Sequence, residues 1–179
     1  MNVVVANLSA SDDYFRFFGL EQQFSLDLSA LDQAYLAIQK EVHPDRHARG
    51  SDTEQRLAMQ MATLANTAFQ TLKNPIQRGL YLCRLHGVDA RLETNTAMPA
   101  AFLMKQMEWR ESLEEREEDL AALESLAEEV SQSKNDVLKE IAQAVDGAKN
   151  YDRAAELLRG LLFIDKFALE LDDAISALV

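Results

Sequence analysis

Cysteine, proline and glycine are all scarce in this chain of 179 residues, which holds one Cys, three Pro and six Gly. A lone cysteine, Cys83, excludes a disulfide framework and a cysteine-rich zinc cluster; it reads as a core residue in a reducing compartment. So few helix breakers leave room for long helices, and no segment shows the alternation of a strand or an internal repeat. Long apolar runs are missing too, since none approaches the roughly twenty residues that a membrane span needs. The opening MNVVVANLSASDDYF has a short apolar patch without a basic flank, and the first basic residue, Arg16, follows two acids. Neither a secretory signal nor a transit peptide is therefore expected. The expectation is a cytoplasmic protein with no membrane partner.

Positive charge is the other shortage: 18 Lys+Arg stand against 30 Asp+Glu, a net charge of −12. Residues 1–80 carry seven basic and nine acidic side chains, whereas residues 81–179 carry eleven and twenty-one. Nucleic acid is excluded as a partner, because affinity for a phosphate backbone rests on clustered cations. The acidic second half suits a basic protein surface instead. With 47% hydrophobic and 27% charged residues, the chain can bury one or two small cores.

What is present is helical periodicity. Leu31, Tyr35, Ile38 and Val42 follow at spacings of four, three and four, predicting a helix over 29–42 with Ser29 as N-cap and Asp32 completing an acidic variant of the capping box. His43-Pro44-Asp45 ends it: proline lacks an amide hydrogen and pushes the preceding residue toward extended geometry, so the loop presents an imidazole and a carboxylate to solvent. A second helix opens at Ser51 with Glu54 as its capping box and carries Leu57, Met61, Leu64, Ala68 and Leu72. Together these elements predict an antiparallel hairpin around a polar loop. Asn74-Pro75 starts a short helix with the pattern Leu80, Leu82, Leu85 that stops at Gly87. The stretch GVDARLETNTAMP then reads as a linker. Three longer helices are expected over 99–118, 119–147 and 150–178, packed antiparallel.

On these residues the chain resembles a known family. The HPD loop resembles that of J-domains, the co-chaperone modules that switch on DnaK-type ATPases. DYFRFFGL (13–20), the HPDR loop and LANTAFQTLKNPIQRGLYLCRLHG (64–87) are similar to the HscB branch of J-domain proteins. AFLMKQMEWRESLEE (101–115) and LLRGLLFIDKF (157–167) are similar to the acidic three-helix domain with which that branch binds the iron–sulfur scaffold IscU. The resemblance covers nearly the whole chain, and the second domain makes it far more specific than the loop alone. It implies an all-α protein, with an N-terminal J-domain (11–87), a linker (88–98) and a C-terminal antiparallel three-helix bundle (99–179) that binds the scaffold.

The activity implied is that of a co-chaperone in iron–sulfur cluster assembly. It binds an IscU-type scaffold and delivers it to a DnaK/HscA-type ATPase chaperone whose ATP hydrolysis it stimulates. The chain would itself be no enzyme and need no cofactor or metal. By the resemblance, Asp45 offers its carboxylate to an arginine of the ATPase, a charge-assisted hydrogen bond worth about 1.5–3 kcal/mol. His43 positions the loop and Pro44 holds its shape, while Lys40 and Arg46 attract an acidic chaperone surface. The helix before the loop is less basic than J-domains often are, because Glu41 stands beside Lys40. Leu103, Met104, Met107, Glu108, Glu111, Glu115 and Phe163 match the residues with which the family holds its scaffold.

Plainer readings compete at each position. The tripeptide could be an ordinary helix-ending turn, or part of a zinc site with His47, which neighbouring Arg46 and Arg49 oppose. Core packing competes for Leu103, Met104, Met107 and Phe163, and Trp109 is open between core anchor and contact. A J-domain co-chaperone for a different client is the alternative function. A metal-dependent enzyme lacks a nucleophile–base pair, a phosphate loop and a ligand set.

Overall fold

The structure, a computed structural model, describes residues 13–43, 45, 50–90 and 98–179. Every regular element among them is helical, and they form two compact units, Met1–Leu85 and His86–Val179. No helix among the described residues is long and apolar enough to cross a membrane.

The first unit contains α1 (Tyr14–Phe17), α2 (Leu28–Val42), α3 (Asp52–Lys73) and α4 (Pro75–Leu85). The single turn α1 is too short to hold itself together. Its backbone N–H at Tyr14 donates to the Tyr81 hydroxyl of α4 at 3.0 Å, and the Tyr14 and Tyr81 rings stack at 4.5 Å. α2 and α3 form the expected hairpin around Leu31, Val42, Met61 and Leu72. Ser29 is not its cap. Asp27 takes that position, with its Oδ1 accepting from the Ser29 and Ala30 N–H groups at 2.9 and 3.2 Å. A carboxylate brings a full charge to the positive end of the helix, so it wins over the serine hydroxyl.

The capping box at Ser51 and Glu54 is present, with the Ser51 N–H donating to Glu54 Oε2 at 2.8 Å. The buried stripe of α3, however, starts at Ala58 rather than at Leu57, which is exposed; Met61, Ala65, Ala68 and Leu72 continue it. Small alanines let the facing helix come close, a preference that a search for large apolar side chains overlooks. Asn74 caps α4 as expected, its Oδ1 accepting from Ile76 and Gln77 N–H at 2.9 and 3.0 Å. Of the pattern read there, Leu82 is buried, Leu80 half-buried and Leu85 exposed, while Ile76, Tyr81 and Cys83 fill the inner face. Gly87 follows at φ +77°, a left-handed stop that glycine adopts without strain.

Among the described residues of this unit, one charged side chain is buried. Arg78 is buried, and its Nε donates to the Phe24 carbonyl at 2.8 Å while Nη1 donates to the Leu72 and Lys73 carbonyls. It thus satisfies orphan acceptors at the C-terminus of α3 and ties the α1–α2 loop to them.

The second unit is an antiparallel bundle of α5 (Ala100–Glu115), α6 (Leu120–Ala142) and α7 (Tyr151–Ser176). α5 stops at Glu115 rather than at Glu118, and residues 116–118 form a turn. Four acids among Glu114, Glu115, Glu117 and Glu118 would face the negative end of a longer helix dipole. Asp119 then caps α6, accepting from Ala122 N–H at 3.1 Å. α6 closes in a π turn, Gln143–Gly147, and Asn150 caps α7 by accepting from Arg153 N–H at 3.0 Å. Trp109, Leu123, Leu126, Val130, Ile164, Phe167 and Leu171 pack as one core. Trp109 is a core anchor: it is 2% exposed, its ring lies 5.6 Å from that of Phe167, and its Nε1 donates to Glu129 Oε1 at 2.9 Å. Ion pairs join each pair of helices: Lys105–Glu129, Arg110–Glu170 and Lys134–Asp165.

Candidate functional sites

The first site grows out of the end of α2. Val42 is buried and fixes the last turn, and His43 follows at φ −58°, ψ 133°, the extended geometry expected before proline. The Asp45 backbone N–H donates to His43 Nδ1 at 3.3 Å, and Asp45 Oδ2 stands 3.6 Å from the same nitrogen. The ring thereby braces the loop from within. The Asp45 side chain is 90% exposed, so its carboxylate is open to a partner.

A shallow groove beside the loop is lined by Leu36, Gln39, Lys40 and His43. Lys40 is exposed, one turn before the loop. Leu36 and Gln39 extend the candidate site beyond the residues expected from sequence. Leu36 had a readable signal: it is an apolar residue off the Leu31/Tyr35/Ile38/Val42 stripe, and it is 56% exposed. Gln39 is fixed through Asn66 of α3, whose Oδ1 accepts from Gln39 Nε2 at 2.9 Å and from the Tyr35 hydroxyl at 2.6 Å. Pro44 and Arg46, also expected here, lie outside the described residues, as does His47.

The second site is a face of α5. With about 100° between successive residues, Phe102, Trp109 and Leu113 point into the bundle, while Leu103, Met104, Met107, Glu108, Glu111 and Glu115 share the opposite side. All six are exposed, Met104 and Met107 to 62% each, so core packing does not account for them. Leu103 and Met107 form an apolar patch, and Met104 with Glu108, Glu111 and Glu115 forms the neighbouring stripe of spacing four, three and four. Phe163 of α7 is also exposed, and it shares a notch between α5 and α7 with Gln106 and Arg110. Those two residues are the next positions round α5 from Leu103 and Met107. Exposed methionines offer an adaptable apolar contact, and a carboxylate row selects basic groups.

Comparison with known proteins gives the family. Residues 98–172 match the family described as HSCB C-terminal oligomerisation domain. A co-chaperone protein HscB homolog of Ralstonia nicotianae is 46% identical over 95% of this chain and 98% of its own length. Among solved structures, chaperone HscB from Vibrio cholerae superimposes with a TM-score of 0.81 at 34% identity, covering 94% of this chain and all of its own. The human co-chaperone protein HscB gives a TM-score of 0.85 at 28% identity, covering 92% of this chain and 83% of its own. With the same helical architecture and near-complete coverage on both sides, the chain belongs to the HscB family of co-chaperones.

Proposed function

We propose that this co-chaperone binds an IscU-type iron–sulfur scaffold on its second unit and an HscA/DnaK-type ATPase on its first. Bringing the two together, it stimulates ATP hydrolysis during cluster biogenesis in the cytoplasm. In this reading residues 11–87 act as the J-domain, 88–98 as the linker and 99–179 as the scaffold-binding bundle. The observation that carries it is the 90% exposed carboxylate of Asp45, on a loop whose own imidazole holds the backbone while the acid stays open to solvent, where an arginine can meet it. Lys40, Pro44 and Arg46 would add to that contact. Leu103, Met104, Met107 and Phe163 would supply the apolar contact with the scaffold, and Glu108, Glu111 and Glu115 its charge selection.

All reacting atoms stay in the ATPase, so the work of this chain is binding free energy. Contacts made only in the hydrolysis-competent state of the chaperone shift its population toward that state. Substituting Asp45→Asn tests this. The variant should keep the helical circular dichroism of the parent and lose stimulation of an HscA-type ATPase; full stimulation by the variant would reject the docking role.

A further inference from the structure

The α5–α7 notch carries the opposite charge from the rest of the proposed scaffold face. It has a volume of about 50 Å³ and is lined by Gln106, Arg110, Phe163, Lys166 and Phe167. Phe167 is buried and forms a floor, while Phe163 is exposed at its rim. The Arg110 guanidinium lies 5.9 Å from the Phe167 ring centre, held there by Glu170 at 3.3 Å. Lys166 is exposed and forms no ion pair among the described residues. Two cations and one carboxylate leave the notch with one net positive charge, in a half of the chain where acids outnumber bases by twenty-one to eleven.

Position makes that charge informative. Going round α5, the order is Gln106 and Arg110, then Leu103 and Met107 with Glu114 between them about two turns further along, then Glu111, Met104, Glu115 and Glu108. Over residues 103–111 the apolar patch therefore separates a cationic flank from an anionic one, and Glu114 closes it at the C-terminal end. Lys105, by contrast, lies on the far side, occupied with Glu129 at 3.7 Å and stacked over Trp109 at 5.1 Å.

We propose that the notch receives a carboxylate side chain of the scaffold protein, seated between Arg110 and Lys166 against the two phenylalanine rings. This rests on the scaffold reading above and adds to it a polarity: a partner with basic groups on one side and an acid on the other fits in one orientation only. Split charge across an interface fixes register in this way, because reversing the partner sets like charges against each other. Lys166 and Arg110 are then specificity residues rather than bystanders on an acidic domain.

The sign of one charge reversal decides the matter. If only the overall acidity of the domain attracted a basic scaffold, Lys166→Glu would leave binding unchanged or tighten it. The notch predicts weaker binding, by about five- to tenfold, because one attraction is lost and one repulsion gained at a partly desolvated site. Calorimetric titration of the full chain with a purified IscU-type scaffold reads this directly, using Lys166→Arg as the conservative variant and Lys149→Glu, in the α6–α7 loop, as a control of equal charge. Expected are near-parent affinity for Lys166→Arg, unchanged or slightly tighter binding for Lys149→Glu, and loss for Lys166→Glu with unaltered circular dichroism. Parent-like or tighter binding by Lys166→Glu overturns the notch and leaves the scaffold reading standing. Absence of binding by the parent chain overturns both.

Discussion

Replacing Met104 and Met107 together by alanine separates a docking face from a packed one. Each side chain is 62% exposed in the free chain, so most of its apolar surface is still available to a partner. Burying a whole methionine side chain contributes about 1.5–3 kcal/mol, and the exposed share of that is about 1–2 kcal/mol per residue. Losing both removes about 2–4 kcal/mol of binding, or roughly a 30- to 1,000-fold weaker complex with the scaffold. The folded chain should hardly notice. Exposed positions contribute little to stability, and alanine is the better helix former, so unfolding should shift by no more than about 0.5 kcal/mol. Calorimetric titration against the scaffold gives the first quantity and urea unfolding the second. Affinity within threefold of the parent, or a stability loss above about 2 kcal/mol of the kind that core truncation causes, would refute the assignment.

Two further outcomes concern the first unit. Arg78→Met should destabilise it by about 3–5 kcal/mol in urea unfolding, because the Phe24 and Leu72 carbonyls lose charged donors inside the fold; a loss below 1 kcal/mol would show that other donors replace them. Burial pushes the Tyr81 hydroxyl above its ordinary value of 10.0. The folded state therefore prefers the protonated phenol: its contribution is complete below pH 10 and disappears as pH rises through the raised folded value. Thermal unfolding followed from pH 8 to 11 should show a stability decline that Tyr81→Phe reduces, and equal declines in the two proteins would contradict this.

Much of the helix layout was legible because caps are local chemistry. Ser51 with Glu54 and Asn74 before Pro75 accept from the N–H groups that their spacing predicts, and Asp119 and Asn150 cap helices at the two later starts expected there. Asp27 escaped notice because Ser29 and Asp32 offered an equally plausible pattern two residues later, and only competition between acceptors decides such a case. Ala58 and Ala65 were hidden by size, since a periodicity search weights Leu57 over them. Arg78 was invisible for a deeper reason: its acceptors are carbonyls 54 and 6 residues away in sequence, so nothing local marks a buried cation. Of the candidate sites, the exposed side of α5 could be suspected from its methionines, but sequence spacing alone could not tell an outward face from an inward one. Trp109 illustrates that limit, lying on the same helix and turned into the core. The notch at Arg110 and Lys166 depends on two helices meeting and had no signal in either segment.

The central claim is that one chain holds a scaffold on one face and an ATPase on another, and steady-state ATP hydrolysis by an HscA-type chaperone measures it most directly. With the parent chain, adding an IscU-type scaffold should raise the rate beyond the sum of the separate effects of chain and scaffold. With the Met104→Ala, Met107→Ala chain, stimulation by the chain alone should persist while that extra gain disappears. A merely additive rate for the parent, or an undiminished gain for the double variant, would contradict it.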